Sequence, residues 1–376
     1  MTRAQQWLLL GWFLAAVGIV PLSQAGLELS RGSRPQFLDI FAHTPTAPNL
    51  RAFEHQLEES SLWAGAVRPY VQYAWFKLLG DAGEKVVMGR EGWLFYKPDV
   101  RYLVEPLAPT PAGDDDPASA IVSFRDQLAA RGIRLLVMPA PGKPAVYPDR
   151  LTRRVEDGGS VHSHTQELMG RLRQSGVEVV DLFDLFQRLR GAPAGAPPWY
   201  LLRDTHWSGR AARVAAEAVA RRIRKLGWIA PGGTSYTLRE RRVLRRSDIA
   251  RMIRVPDIER EYPAEEVVCE QVRDAASGEP YRDDPRSPVL ILGDSFLRIY
   301  QTDEPRAAGF IAHLARELGM PLASVVNDGG ASTLVRQELA RRPDLLRGKR
   351  LVIWEFVERD VRFGTEGWKP VPLPPA

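Results

Sequence analysis

Short apolar runs punctuate the chain at residues 133–138, 177–181, 289–292, 323–326 and 350–354. Each is nearly continuous rather than alternating, as expected of strands buried on both faces. Between them the apolar spacing turns helical, at about 118–130, 164–175, 208–225, 304–318 and 333–341. Ser163 and Gln166 stand at capping-box spacing, and Ser208 is placed to cap the alanine-rich stretch after it. Strands alternating with helices at these intervals predict a doubly wound, mostly parallel α/β sheet with helices on both faces. Two apolar stretches at 86–96, separated by Gly89 and Gly92, predict a hairpin. Residues 107–117 and the proline-rich 191–198 are expected as loops, and about 230–287 as an irregular insertion.

The pattern differs at the two ends. Arg3 precedes an apolar run over 7–22, and Ser23 and Ala25 are small residues suited to the −3 and −1 positions of a signal-peptidase site. The run is shorter than the roughly 20 residues of a comfortable span. Residues 1–25 are therefore expected to be a signal peptide or a membrane anchor, and the chain to be exported. Residues 26–83 are expected as a spacer and helical segment. In it Asn49 caps a helix at 50–59 carrying Phe53 and Leu57, and a second helix spans 69–79. Tyr70, Tyr73, Trp75 and Phe76 on that second helix are expected to pack as core rather than line a ligand box. The main domain is expected over 84–364, followed by a proline-rich tail at 365–376.

Charge and cysteine content narrow the options. The 51 basic residues are offset by 46 acidic ones, a net +5, which argues against wholesale nucleic-acid binding. Cys269 is the sole cysteine, so no intrachain disulfide and no cysteine metal cluster can form. Stability outside the cytoplasm must then come from the core.

The run at 289–292 breaks at Gly293-Asp294-Ser295. A strand ending in Gly-x-Ser sets the hydroxyl on a sharp turn at the carboxyl edge of a sheet, with backbone N–H groups free to meet a developing oxyanion. A serine hydroxyl needs a base, and the base needs an orienting group. Asp204 and His206, two residues apart at a strand end, supply both: Asp204 would receive Nδ1–H of His206, and Nε2 would face Ser295. Other residues offer further chemistry. His162 and His164, with Asp204 and His206, make a weak metal set, because capping of the following helix accounts for the first pair. Arg239, Arg241, Arg242, Arg245, Arg246, Arg251 and Arg254 form a basic run suited either to an anionic glycan or to a solvated face. Lys143, after a strand end, either faces the crevice or is a plain loop lysine.

Asp204-Thr205-His206-Trp207 ahead of Gly293-Asp294-Ser295-Phe296 resembles the alginate O-acetyltransferase group of SGNH-hydrolase-like proteins, in circularly permuted order. Residues 89–96, 247–252 and 354–360 extend the resemblance, which covers roughly 84–361. It implies acetyl transfer to hydroxyls of an exported polysaccharide, with Ser295 as nucleophile, His206 as base then acid, and Asp204 orienting it. It also implies a periplasmic location and a membrane-bound O-acyltransferase as acetyl relay, with no cofactor. The next strand end should give the oxyanion glycine, which points to Gly329. Trp207 belongs to the motif. Glu355 stands where most SGNH enzymes keep an asparagine. Arg359 is either a site residue or the ion-pair partner of Glu355. A periplasmic acetylesterase using the same three residues, and a catalytically idle glycan-binding component of an export complex, remain as alternatives.

Overall fold

The structure is a computed structural model and describes residues 2–106, 115–190 and 196–374. Most of the expected loop at 107–117 and part of the connection at 191–198 lie outside those residues. The described chain divides into two compact units, residues 1–83 with Arg254–Asp257, and residues 84–253 with 258–376.

The larger unit opens with a hairpin of β1 (Val86–Met88) and β2 (Leu94–Tyr96). Its centre is a five-stranded sheet made of β3 (Arg134–Ala140), β4 (Glu178–Val179), β7 (Val289–Gly293), β8 (Ala323–Val326) and β9 (Leu351–Val357). All pairings are parallel, in the order β4-β3-β9-β7-β8. Alternate residues of each strand feed two cores. Leu136, Ile291 and Ile353 face the helices Gly209–Leu226 and Phe310–Leu318. Val137, Leu292 and Trp354 face Pro117–Ala129, His164–Gln174 and Leu334–Ala340. The fold is thus doubly wound, and the continuous apolar runs are the strands buried on both faces. Fully buried Ala211, Ala212, Ala215 and Ala216 let the long helix approach closely.

In the larger unit the structure departs from the expected elements at two places. The region 230–287 is not irregular: β5 (Tyr236–Arg245) and β6 (Glu265–Asp274) pair over ten residues as an antiparallel ribbon. The strand β5 carries charge on its exposed positions and lacks the clean apolar alternation that would have marked it. The helix expected at 304–318 begins only at Phe310, because Tyr300, Arg306 and Ala307 take positive φ and turn the chain before it.

In the smaller unit one helix runs Arg3–Ser30, and its Gln5–Ser30 stretch, with mean hydropathy 1.8, is long and apolar enough to cross a membrane. It extends past the apolar run read from the sequence, with Pro21 inside it. The next helix, Ala47–Ser60, is capped by Thr46 rather than Asn49, since Pro48 fits the first turn. The following helix starts at Leu62, not 69, with Pro69 inside it. Tyr70 and Trp75 on it are 71% and 52% exposed, so they are not core; only Phe76 is buried there.

A buried carboxyl ties the carboxyl edge of the sheet together. Glu358, just beyond β9, is fully buried and accepts from Gly142 N–H at 2.7 Å and from the Ser163 hydroxyl. Burial raises its pKa to about 7 against the pull of those two donors. A carboxyl that holds its proton more tightly folded than unfolded stabilises the fold fully below its ordinary value of 4.5. That contribution is lost as pH rises through about 7. Glu358→Gln is therefore expected to remove a stability change on the order of 3 kcal/mol across this window, read as melting temperature against pH. Parallel curves for the two proteins would contradict this.

Candidate active site

Strand β7 delivers the chain to Gly293, where an added Cβ would lie 2.4 Å from Glu355 Oε2 and 2.5 Å from Leu297 Cδ1. Only glycine fits between Glu355 of β9 and Leu297 of the turn that follows. Asp294 then caps a one-turn helix, Ser295–Arg298. Its carboxylate accepts from Phe296 N–H at 2.8 Å and from Val357 N–H at 3.1 Å, while its own N–H donates to Glu355 Oε2 at 3.2 Å. Burial, with the Asp294 charge second, pushes the Glu355 carboxyl far above its usual range. The serine turn is thereby bolted to β9 by two side chains.

The second segment is a loop closed by an isolated bridge between Tyr200 and Trp207, not the strand end expected before Asp204. His206 Nδ1 lies 2.8 Å from Asp204 Oδ1, and Nε2 lies 2.8 Å from Ser295 Oγ. Asp204 Oδ1 also accepts the His206 backbone N–H at 3.0 Å, which fixes the two-residue turn. Asp204 Oδ2 is held by Arg245 Nε at 2.8 Å, so the long ribbon ends on the aspartate. Burial opposes ionisation of Asp204, but the hydrogen bond and charge of His206 and the charge of Arg245 outweigh it and hold the carboxyl well below the usual range. With Nδ1 turned to that carboxylate, the ring directs Nε2 at the serine hydroxyl.

A residue not singled out from the sequence joins this set. Asp248 accepts from Thr205 N–H at 2.9 Å and from the Thr205 hydroxyl, and lies 3.5 Å from His206 Nδ1. Burial and the Asp204 charge raise its pKa. Ser247-Asp248 opens one of the motifs quoted above, so the signal existed without a role attached. Ligand atoms of Asp204, His206 and Asp248 come within 4.8 Å of one another. They are engaged with Arg245, Ser295 and Thr205, an arrangement for orienting a proton carrier rather than for coordinating an ion.

The other sequence candidates fall in different places. Trp207 is fully buried in the core, its indole N–H donating to Phe296 O at 3.0 Å, so it shapes the turn and does not line a cavity. Lys143 is also buried rather than facing the crevice. Its Nζ donates to the carbonyls of Leu94, Leu202 and Asp204 at 2.7, 2.6 and 3.3 Å, under the rings of Trp93 and Phe95. Burial lowers its pKa to about 7, with the Asp204 charge the largest opposing influence. Arg359 pairs with buried Asp99 at 3.0 Å, not with Glu355. Gly329 N–H is spent on Asn327 Oδ1 at 2.9 Å. Of the basic run, Arg245, Arg246 and Arg251 line a cavity of about 330 Å³ beside His206, together with Arg298. Arg239, Arg241, Arg242 and Arg254 are exposed, and Arg242 pairs with Glu266 at 3.2 Å. His164 Nε2 lies 3.3 Å from Glu105 O, away from this group, at the start of the helix that Ser163 caps.

Comparisons with known proteins give the family and the fold. Residues 86–358 match the family described as an SGNH hydrolase-like domain, acetyltransferase AlgX. The chain is similar to the probable alginate O-acetylase AlgJ of Azotobacter vinelandii, 26% identical over 76% of this chain and 71% of that protein. It is similar to the AlgJ of the same description from Pseudomonas aeruginosa, 23% identical over 92% and 88%. Among solved structures, the O-acetyltransferase domain of Pseudomonas putida AlgJ superposes with a TM-score of 0.57 at 21% identity, covering 74% of this chain and 93% of that one. Pseudomonas aeruginosa AlgX gives 0.54 at 18%, covering 72% and 61%. These two likenesses carry the fold. With the family match spanning most of the larger unit, the chain belongs to the AlgX-type family of SGNH hydrolase-like acetyltransferase domains.

Proposed function

We propose that this protein moves an acetyl group through an acetyl-Ser295 intermediate onto hydroxyls of an exported polysaccharide, alginate or a similar uronate polymer. The observation that carries the reading is the chain of two 2.8 Å contacts from Asp204 through His206 to Ser295. As Ser295 Oγ attacks the donor carbonyl, His206 Nε2 takes the hydroxyl proton and Asp204 stabilises the resulting imidazolium. The negative charge forming on the carbonyl oxygen meets the Ser295 N–H, which as the first residue of its helix has no intrahelical acceptor. Collapse expels the donor's leaving group with the proton from His206. A glycan hydroxyl then gives its proton to Nε2, attacks the acetyl carbon, and Ser295 leaves as the hydroxyl.

The AlgJ relatives are described as probable alginate O-acetylases, and the arginines beside His206 suit a carboxylate-bearing acceptor. The apolar Arg3–Ser30 helix fits export, with anchoring at the membrane and the larger unit in the periplasm, where a membrane-bound O-acyltransferase would supply acetyl groups. Lys143 acts as a positioning residue: it gathers the carbonyls of the β2 hairpin strand and of the Asp204 loop at one point.

Ser295→Ala is expected to abolish acetyl transfer to polymer. Asp204→Asn is expected to lower turnover by about 10⁴-fold with acceptor affinity retained. Wild-type transfer rates in Ser295→Ala would sink the reading, and free acetate as the sole product with acceptor present would make it an esterase. Lys143→Met is expected to cost about 3 kcal/mol of stability by stranding buried carbonyls, seen as a lower melting temperature. An unchanged melting temperature would contradict the clamp.

A further inference from the structure

Two hollows meet at Arg298, three residues after Ser295, and the one lined by His206 is part of the site described above. The second has a volume of about 670 Å³, within the roughly 300–1,000 Å³ of ligand sites. It opens against the edge strand β8, and its wall includes Leu297 and Arg298, one turn from Ser295. Asn327 and Asp328, which follow β8, form part of its rim beside the serine turn, since Asn327 N–H donates to Gly293 O at 2.9 Å. Its lining mixes apolar side chains such as Leu297, Ile311 and Val326 with two arginines and two aspartates, Asp283 and Asp328, and three of its polar groups are left unused by the protein. Among the described residues, the Arg282 guanidinium, the Thr302 hydroxyl and the Gln301 Nε2 have no protein hydrogen-bond partner, although Gln301 Oε1 accepts from Ala312 N–H at 3.1 Å.

Arg298 lines both hollows. Its Nη1 lies 2.5 Å from Asp303 Oδ1 and its Nε 2.7 Å from Asp328 Oδ2. Asp303 Oδ2 lies 3.7 Å from Arg245 Nη1, and Arg245 holds Asp204. An alternating chain of charges therefore runs from the second hollow to the aspartate of the triad. A ligand carboxylate arriving beside Arg298 and Arg282 would find one cation already balanced and one without an ion-pair partner.

We propose that this hollow is an acceptor subsite for the anionic sugar unit next to the one being acetylated, with Arg282 taking its carboxylate and Thr302 and Gln301 its hydroxyls. Resting on the acetyltransferase reading above, it makes the acceptor span Ser295: one unit lies in the arginine-lined hollow beside His206, and its neighbour lies against β8. The polymer is thereby read on both sides of the nucleophile. Arg298 is the shared wall that sets the spacing of the two units.

The test measures binding on the full chain carrying Ser295→Ala, so its outcome does not depend on whether the serine is acylated. A uronic-acid hexasaccharide is titrated into that protein and into versions also carrying Arg282→Ala or Gln301→Glu, with a neutral glucose hexasaccharide as comparison. Gln301→Glu keeps the acceptor for Ala312 N–H while placing an anion in the hollow, so folding is preserved and charge alone is changed. Each added substitution is expected to weaken uronate binding by about tenfold, with Gln301→Glu the stronger and the effect fading at high salt. Uronate affinity unchanged within about twofold in both variants, or equal binding of the neutral hexasaccharide, would overturn the proposal.

Discussion

Everything at the candidate site depends on how the turn at Gly293-Asp294 is held. Gly293 is pressed so closely against Glu355 and Leu297 that no side chain fits, and the buried Asp294 carboxylate bonds one amide in the turn, Phe296, and one on β9, Val357. A carboxylate in that position could relax into solvent if the turn were exposed. Buried as it is, leaving the turn would strand two N–H donors and a charge, a cost of several kcal/mol. The serine hydroxyl is therefore presented by packing rather than by its own preference. The base it meets sits on a loop fixed by an independent set of bonds.

Those bonds share a feature: each reaches across long stretches of chain to a buried ion. Arg245 brings the end of the β5–β6 ribbon to Asp204, Lys143 collects three carbonyls, and Asp248 accepts from Thr205 N–H. Buried ion pairs contribute little net stability, but removing one partner leaves a charge stranded in a low-dielectric interior. We read them as devices of specificity, which hold the Asp204 loop in one register against the serine turn. The ribbon's role is mechanical in the same sense. It carries an arginine to a carboxylate that would otherwise be free to rotate away from the imidazole.

How much of this could be seen in the sequence depended on the range of the interaction. The strands were legible because double-faced burial forces continuous apolar runs, and Val289–Gly293 is such a run. Ser295 was legible because residue type and strand-end position both constrain it, and Asp204 and His206 through residue type and spacing alone, since the strand expected before them is a loop with one isolated bridge. The ribbon was hidden because β5 is edge-like and charged, so its periodicity carries no hydrophobic signal. Local spacing offers Glu355 as an ion-pair partner for Arg359, yet its partner Asp99 lies 260 positions away in sequence, a distance over which spacing is silent. Gly329 was placed by analogy of order. Its amide is consumed by a neighbouring asparagine side chain, a contact that no linear pattern encodes.

The central claim is that Ser295 carries the acetyl group. Brief incubation with an activated acetyl ester, acid quench and peptide mass spectrometry would test it most directly. The account requires an acetyl-sized mass increment on the peptide containing Ser295, present in wild type, sharply reduced in His206→Ala, and discharged when glycan acceptor is added before the quench. An increment located on any other residue, or its persistence in Ser295→Ala, would contradict it.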